Sequence, residues 1–342
     1  MKKKIFILIA LLVLILVVIL QKPLATHFKI ALFITEEFPQ IPIKPLGLVT
    51  GQPNHQRIEL DSSNGKVVAD LYLPRGGDQK SAIIVAMGVR TQEKDKPLIR
   101  KFSDTMARLG YVVFWPRLDS LDRGESLPEE SETFIEGFKY LQTQPLVNSD
   151  RISSMGFSVG SSTALVAASD PQIAKDVYSL IFFGGQFDIF EYLRSLASKN
   201  YQVDGQTISW NAADDARNHA KSLLLAKEAT ETAKIFEESE KDKIDKILSE
   251  APDEEKERLK KYSPKEYVGQ FKGRLFIMHD KADHYVPYVE SVKLNQAFAN
   301  QVEAFVITDL FEHVQPNRPL NGQTLGELFK LYGFLYQVLN YL

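Results

Sequence analysis

Residues 156–160 read Gly156-Phe157-Ser158-Val159-Gly160, a serine set between two glycines. The stretch Arg151–Met155 precedes it, and the small residues Ser161–Leu165 follow. On this motif alone, an ordinary strand-to-helix turn is an equal reading. If a strand enters the turn and a helix leaves it, the hydroxyl stands clear at the carboxyl end of a sheet, placed to attack a carbonyl carbon. A serine hydroxyl is a poor nucleophile at neutral pH. It needs a histidine to take its proton and a carboxylate to orient that histidine. The chain has 6 histidines and no cysteine, which excludes a thiol nucleophile, disulfides and cysteine-ligated zinc. His27 and His55 lie near the amino terminus, His219 in a charged region and His279 within an apolar run. That leaves His284 and His313. His313 follows an apolar stretch by the short loop Asp309–Glu312, which suits the base. For the acid, Asp283 follows the apolar run Leu275–Met278 by a turn, with Asp280 and Asp188 as competitors.

These groups meet only if the surrounding elements bring them to one rim. Arg57–Leu60 and Lys66–Leu73 read as a hairpin with an Asn64-Gly65 turn. Ser81–Met87, Tyr111–Trp115, Arg151–Gly156, Ser179–Phe183, Arg274–His279 and Ala304–Thr308 have strand length and apolar continuity. Leu98–Leu109, closed by Gly110, Glu132–Leu141, 160–168, Val289–Phe298 and Leu325–Tyr341 have helical spacing. Strands alternating with helices predict a mostly parallel, doubly wound sheet covered on both faces. In such a sheet, ligands bind beyond the carboxyl ends of the strands, where Ser158, Asp283 and His313 fall. The alternation stops at 189–272, where Leu223–Leu225, Ile235-Phe236, Ile244 and Ile247-Leu248 recur at helical spacing among Lys and Glu. That interval reads as a helical insertion over the carboxyl edge, its charges forming a solvated face.

With the order Ser158, Asp283, His313, the chain resembles an α/β-hydrolase from about residue 55 to its carboxyl terminus, apart from the insertion. Ala86-Met87-Gly88-Val89-Arg90 resembles the loop after that family's third strand. Leu121–Ser126 is similar to its D-x-R-G-x-G-x-S segment, shortened, and Asp283-His284-Tyr285-Val286-Pro287 to its D-x-x-V-P motif. Within it the chain resembles serine-nucleophile members with a dienelactone-hydrolase-like or prolyl-oligopeptidase-like catalytic domain, although typical dienelactone hydrolases carry cysteine where Ser158 stands. Other departures are Met87-Gly88 for His-Gly, Asp280 for glycine, and Glu312 for the glycine before the histidine. The resemblance implies an oxyanion hole from the backbone N–H groups of Val89 and Val159, a lid at 189–272, and no cofactor or metal. Arg90 reads as a loop charge.

The implied activity is hydrolysis of a small-molecule ester or other acyl substrate through an acyl-enzyme. A serine peptidase, an acyltransferase and a noncatalytic binding protein on the same scaffold are the alternatives. The net charge of −3 and 25% charged residues give no sign of a nucleic-acid partner, and protein partners are not legible. Lys2–Lys4 precede an unbroken apolar run from Ile5 to Leu20, roughly 24 Å as a helix against about 30 Å of hydrocarbon core. No small-x-small cleavage site follows. The expectation is a single-pass transmembrane anchor (1–25) with the catalytic domain outside the cytoplasm; secretion after signal-peptide cleavage is the alternative. A connector (26–54) then leads to the core at 55–188 and 273–342. Within it 28–38 read as an amphipathic helix near the membrane surface or equally as a short core helix, and prolines at 39, 42, 45 and 53 mark an extended stretch.

Overall fold

The structure, a computed structural model, describes residues 22–62, 65–88, 96–117, 130–322 and 324–342. The apolar run Ile5–Leu20, Val89-Arg90 and Leu121–Ser126 lie outside the described residues. No helix among the described residues is long and apolar enough to cross a membrane.

The chain begins with helix α1 (22–37) and a helical turn α2 (Leu46–Val49). It continues with β1 (Asn54–Ser62), β2 (Gly65–Leu73), β3 (Lys80–Ala86), α3 (Lys96–Arg108), β4 (Val112–Arg117), α4 (Glu130–Gln142), β5 (Val147–Phe157), α5 (Val159–Ala168) and β6 (Val177–Phe183). The interval 189–272 follows, and then β9 (Arg274–Asp280), α11 (Val289–Ala297), β10 (Val302–Thr308) and α12 (Leu325–Tyr341). Eight strands form one sheet in the order β1-β2-β4-β3-β5-β6-β9-β10. Only β2 runs against its neighbours. The hairpin closes with Ser62 paired to Gly65, so Gly65, expected in the turn, belongs to β2; residues 63–64 lie outside the described residues.

Alternation along the strands splits the core in two. On one face Ile84, Phe114, Ile152, Phe182 and Ile277 pack with Phe138 of α4, Leu165 of α5 and Leu294 of α11. On the other, Ile83, Val85, Val113, Ile181 and Phe276 pack with Met106 of α3 and Val338 of α12. Helix α1 joins this second layer. Ile30 is fully buried and Leu32 and Phe38 nearly so, and the Lys44 ammonium donates to the Thr35, Glu36 and Phe38 carbonyls at the helix's carboxyl end. Of the two readings of 28–38 the structure gives the core helix, and the proline-marked stretch after it, expected to be extended, holds the turn α2.

Residues 189–272 depart from an all-helical reading. Helix α6 (Ile189–Ser198) leads into a two-stranded antiparallel hairpin, β7 (Asn200–Val203) and β8 (Gln206–Ser209). Asp204 and Gly205, at φ 48° and 78°, make its turn. An Asp-Gly pair between short strands is the available signal, but the polar residues of β7 and β8 hide the alternation. Then come α7 (Asp214–Ala226), α8 (Thr230–Ala233), α9 (Lys241–Glu250) and α10 (Asp253–Lys260). Leu193, Leu196, Leu224, Ile244, Leu248 and Leu259 bury into a cluster of their own, leaving most Lys and Glu side chains outside; Glu255 is the buried exception, accepting from the Thr232 N–H and hydroxyl.

Candidate active site

Ala86 of β3, Gly156 of β5, Phe182 of β6, Ile277 of β9 and Phe305 of β10 lie on one line of register across the sheet. The chain just past that line forms a single rim. Strand order reverses between β3 and β5, which makes the gap above them the place where a ligand settles in such sheets.

Ser158 is the one residue between β5 and α5. Its backbone sits at φ 55°, ψ −138°, a conformation that a residue with a Cβ keeps only when its surroundings enforce it. The enforcement is visible. Ser158 N–H donates to the Phe183 carbonyl at 2.8 Å, and Ser161 N–H to the Ser158 carbonyl at 2.9 Å. A Cβ on Gly156 would strike the backbone of Ser161, and one on Gly160 the carbonyls of Ala86 and Met87. Both glycines are thus needed for the close passage of the chain. Val159 opens α5, where helix geometry leaves its N–H without an intrahelical acceptor. Val89, the other expected oxyanion donor, is outside the described residues. Gly88 before it lies so close that a Cβ there would come within 2.8 Å of Ser158 Cβ.

Asp283 lies in the turn after β9, fully buried as a side chain. Its Oδ1 accepts the N–H groups of Tyr285 at 2.7 Å and Val286 at 3.0 Å. Its Oδ2 is 2.6 Å from His313 Nδ1 and 3.3 Å from His279 Nε2. Burial raises the carboxyl, but the charge of His313 and the hydrogen bonds from His279 and His313 outweigh it, leaving the pKa well below the ordinary carboxylate range. An ionised Asp283 accepts the His313 Nδ1–H and leaves Nε2 as the ring's basic nitrogen. His313 is itself held at φ 61°, with the Tyr285 ring 4.8 Å away. Ser158 and His313 line the same cavity, though among the described residues no hydrogen bond joins the hydroxyl to the imidazole. Such contacts commonly tighten only when substrate fills the site.

The competing residues have other duties. His284 Nδ1 bonds the Asn211 carbonyl at 2.9 Å. Asp188 caps α6, accepting from Phe190 N–H, and pairs with Lys265 at 2.8 Å. Asp280 is fully buried. Its Oδ1 accepts the Ala282 N–H at 2.9 Å, next to the acid, and its Oδ2 the Phe311 N–H at 2.8 Å, two residues before His313. Two contributors have no counterpart in the sequence reading. His279 bonds Ser291 Oγ at 2.7 Å and the Val286 carbonyl at 3.0 Å while supporting Asp283; its place four residues before the acid was the available signal. Trp210, after β8, donates its indole N–H to the Asp283 carbonyl at 2.8 Å, and nothing local announces that contact. Among the described residues, no three His, Asp or Glu side chains group as metal ligands.

A cavity of about 860 Å³ opens above Ser158 and His313, between the rim and residues 189–272. The model of the BD-FAE family matches residues 69–298. No curated protein matches the chain. Among solved structures, an acylaminoacyl peptidase from Pyrococcus horikoshii is similar at TM-score 0.54 and 13% identity, over 88% of this chain and 44% of its own. A dipeptidyl peptidase 4 from Porphyromonas gingivalis gives 0.52 and 15%, over 86% and 38%. A 2,6-dihydroxy-pseudo-oxynicotine hydrolase gives 0.53 and 14%, over 84% and 68%. The chain thus spans less than half the length of the two peptidases, and at these identities the likeness is one of fold.

Proposed function

Since this chain belongs to the BD-FAE family of the α/β-hydrolase superfamily, we propose that it is a serine hydrolase cleaving carboxylic esters, with Ser158, His313 and Asp283 as its triad. The observation that carries the reading is the 2.6 Å bond from His313 Nδ1 to the buried Asp283 carboxyl, beside a strained Ser158 turn. Ser158 Oγ adds to the ester carbonyl while His313 Nε2 takes its proton. The N–H groups of Val159 and Val89 stabilise the oxyanion. Collapse expels the alcohol, which receives that proton from His313, and leaves an acyl-serine. Water then attacks with His313 again as base, releasing the carboxylic acid and restoring the hydroxyl. We also place the enzyme at a membrane, through Lys2–Lys4 and Ile5–Leu20, with the catalytic domain outside the cytoplasm.

The test is labelling of the full chain with a fluorophosphonate, beside turnover of p-nitrophenyl esters and peptide anilides. Wild type labels and cleaves the esters. Ser158→Ala abolishes labelling, and His313→Ala lowers turnover by on the order of 10⁴–10⁶. A folded wild type that neither labels nor hydrolyses any ester overturns the proposal, and preference for the anilides redirects it to peptide bonds.

A further inference from the structure

We propose that the ester carries a bulky, uncharged hydrocarbon acyl group, and that residues 189–272 supply a standing wall of its pocket; this rests on the serine-hydrolase reading above. The cavity's size, about 860 Å³, is that of a site enclosing a drug-sized molecule. Its rim side is apolar beside the nucleophile, where Phe157 packs edge-on against Phe102. Facing them, Ile189, Leu193, Leu223 and Leu224 come from α6 and α7, and Leu259 from α10. On α10 the charge that dominates the sequence points the other way. Glu254 pairs with Arg258 and Asp253 with Lys256 on the outer surface. Of the charged residues on the cavity wall, Asp214 pairs with Lys199, Asp215 accepts from the Tyr285 hydroxyl, Glu37 accepts from Thr105, and Lys101 donates to the Glu36 carbonyl; Lys227 and Glu312 complete the charged lining among the described residues. A charged acyl group lying against Phe102, Phe157 and these leucines would exchange its hydration for apolar surface, whereas each methylene buried there contributes about 0.8 kcal/mol.

The wall is fixed to the chemistry rather than hung above it. Besides Trp210 on the Asp283 carbonyl, the Ala213 N–H donates to the His284 carbonyl at 2.8 Å, and His284 Nδ1 bonds the Asn211 carbonyl at 2.9 Å. Residues 210–213, which lead into α7, are therefore stitched to the loop that carries the acid. Selectivity then resides in a preformed pocket, with no closure needed to create it.

The experiment is a p-nitrophenyl ester series on the full chain, from acetate through butyrate and octanoate to laurate, with the hemisuccinate as a charged acyl. All are kept below micellar concentration. The leaving group is constant, so the series reads the acyl pocket alone. Wild-type kcat/KM is expected to rise by on the order of 100-fold from acetate to octanoate and to be lowest for the hemisuccinate. Leu223→Trp, at a half-buried position on the cavity wall, is expected to lower the octanoate-to-acetate ratio about tenfold. A flat or falling series in wild type, or preference for the hemisuccinate, overturns the inference while leaving the triad standing. Absence of both labelling and turnover would instead sink the hydrolase reading beneath it.

Discussion

Asp280 shows how one side chain can tune a site without touching substrate. Its two oxygens hold the acid loop through Ala282 and the histidine loop through Phe311, so a single carboxylate fixes the spacing of Asp283 and His313. Burial pushes this carboxyl up, and the two N–H donors pull it back only in part. The related proteins that the sequence resembles place glycine here, which offers no such bridge. Asparagine has the same size, but it must turn its NH₂ toward one of the two N–H groups and release that loop. Asp280→Asn is therefore expected to lower kcat roughly 10- to 100-fold, the cost of sub-ångström misplacement of a catalytic pair, with KM changed less than threefold or so. A variant that melts earlier yet retains wild-type kcat while folded would show Asp280 to be structural only.

The element that most depends on its anchorage is the interval 189–272. Its two ends meet at the sheet edge, where the Ile189 N–H donates to Ser263 Oγ at 2.8 Å and the Lys265 N–H to the Phe187 carbonyl at 3.1 Å. Under this junction Glu290 of α11 accepts the Phe187 and Asp188 N–H groups, both at 2.9 Å. Asp188 with its partner Lys265, and Lys293 with its partner Glu191, are the charged groups around it. Burial drives the Glu290 carboxyl up to about 7 from an ordinary 4.5. The folded chain thus keeps a proton that the unfolded chain releases, and folding takes up a proton between those values. This group's stabilisation is complete below about pH 4.5 and is lost as pH rises through about 7, a change on the order of 3 kcal/mol. Urea unfolding between pH 5 and 8 should show wild type losing stability as pH rises relative to Glu290→Gln. Parallel pH profiles for the two proteins would remove Glu290 from this role.

At the scale of the molecule, the proposed membrane anchor lies next to α1 in the sequence. That helix buries Ile30 and Leu32 against the sheet. Its carboxyl end and the residues after it, Glu37 and Pro39, reach the cavity wall. Removing residues 1–21 is expected to move the protein from the membrane fraction to the soluble one while fluorophosphonate labelling persists. Removing residues 1–37 also takes away two buried side chains worth about 1.5–3 kcal/mol each, and labelling should fall with the melting temperature. Full-length protein that stays soluble in fractionated cells would refute the anchor.

The sequence by itself determined what depends on local pattern. Apolar runs of strand length between helical spacings specify a parallel sheet, and Gly156 and Gly160 around Ser158 specify an elbow, because strand, helix and turn are set by residues within a few positions. The order of the strands carried Asp283 and His313 to the same rim as Ser158, so the candidate triad was legible too. Only the tertiary structure decided what depends on distant contacts. It put His279 and Trp210 on Asp283, Asp280 between two loops, α1 in the core, and the apolar side of a charged insertion over Ser158. Apart from the place of His279 four residues before Asp283 and the helical reading of 28–38, these have no local signature, since burial and hydrogen bonding between residues far apart in the chain are fixed only when the sheet and its insertion pack.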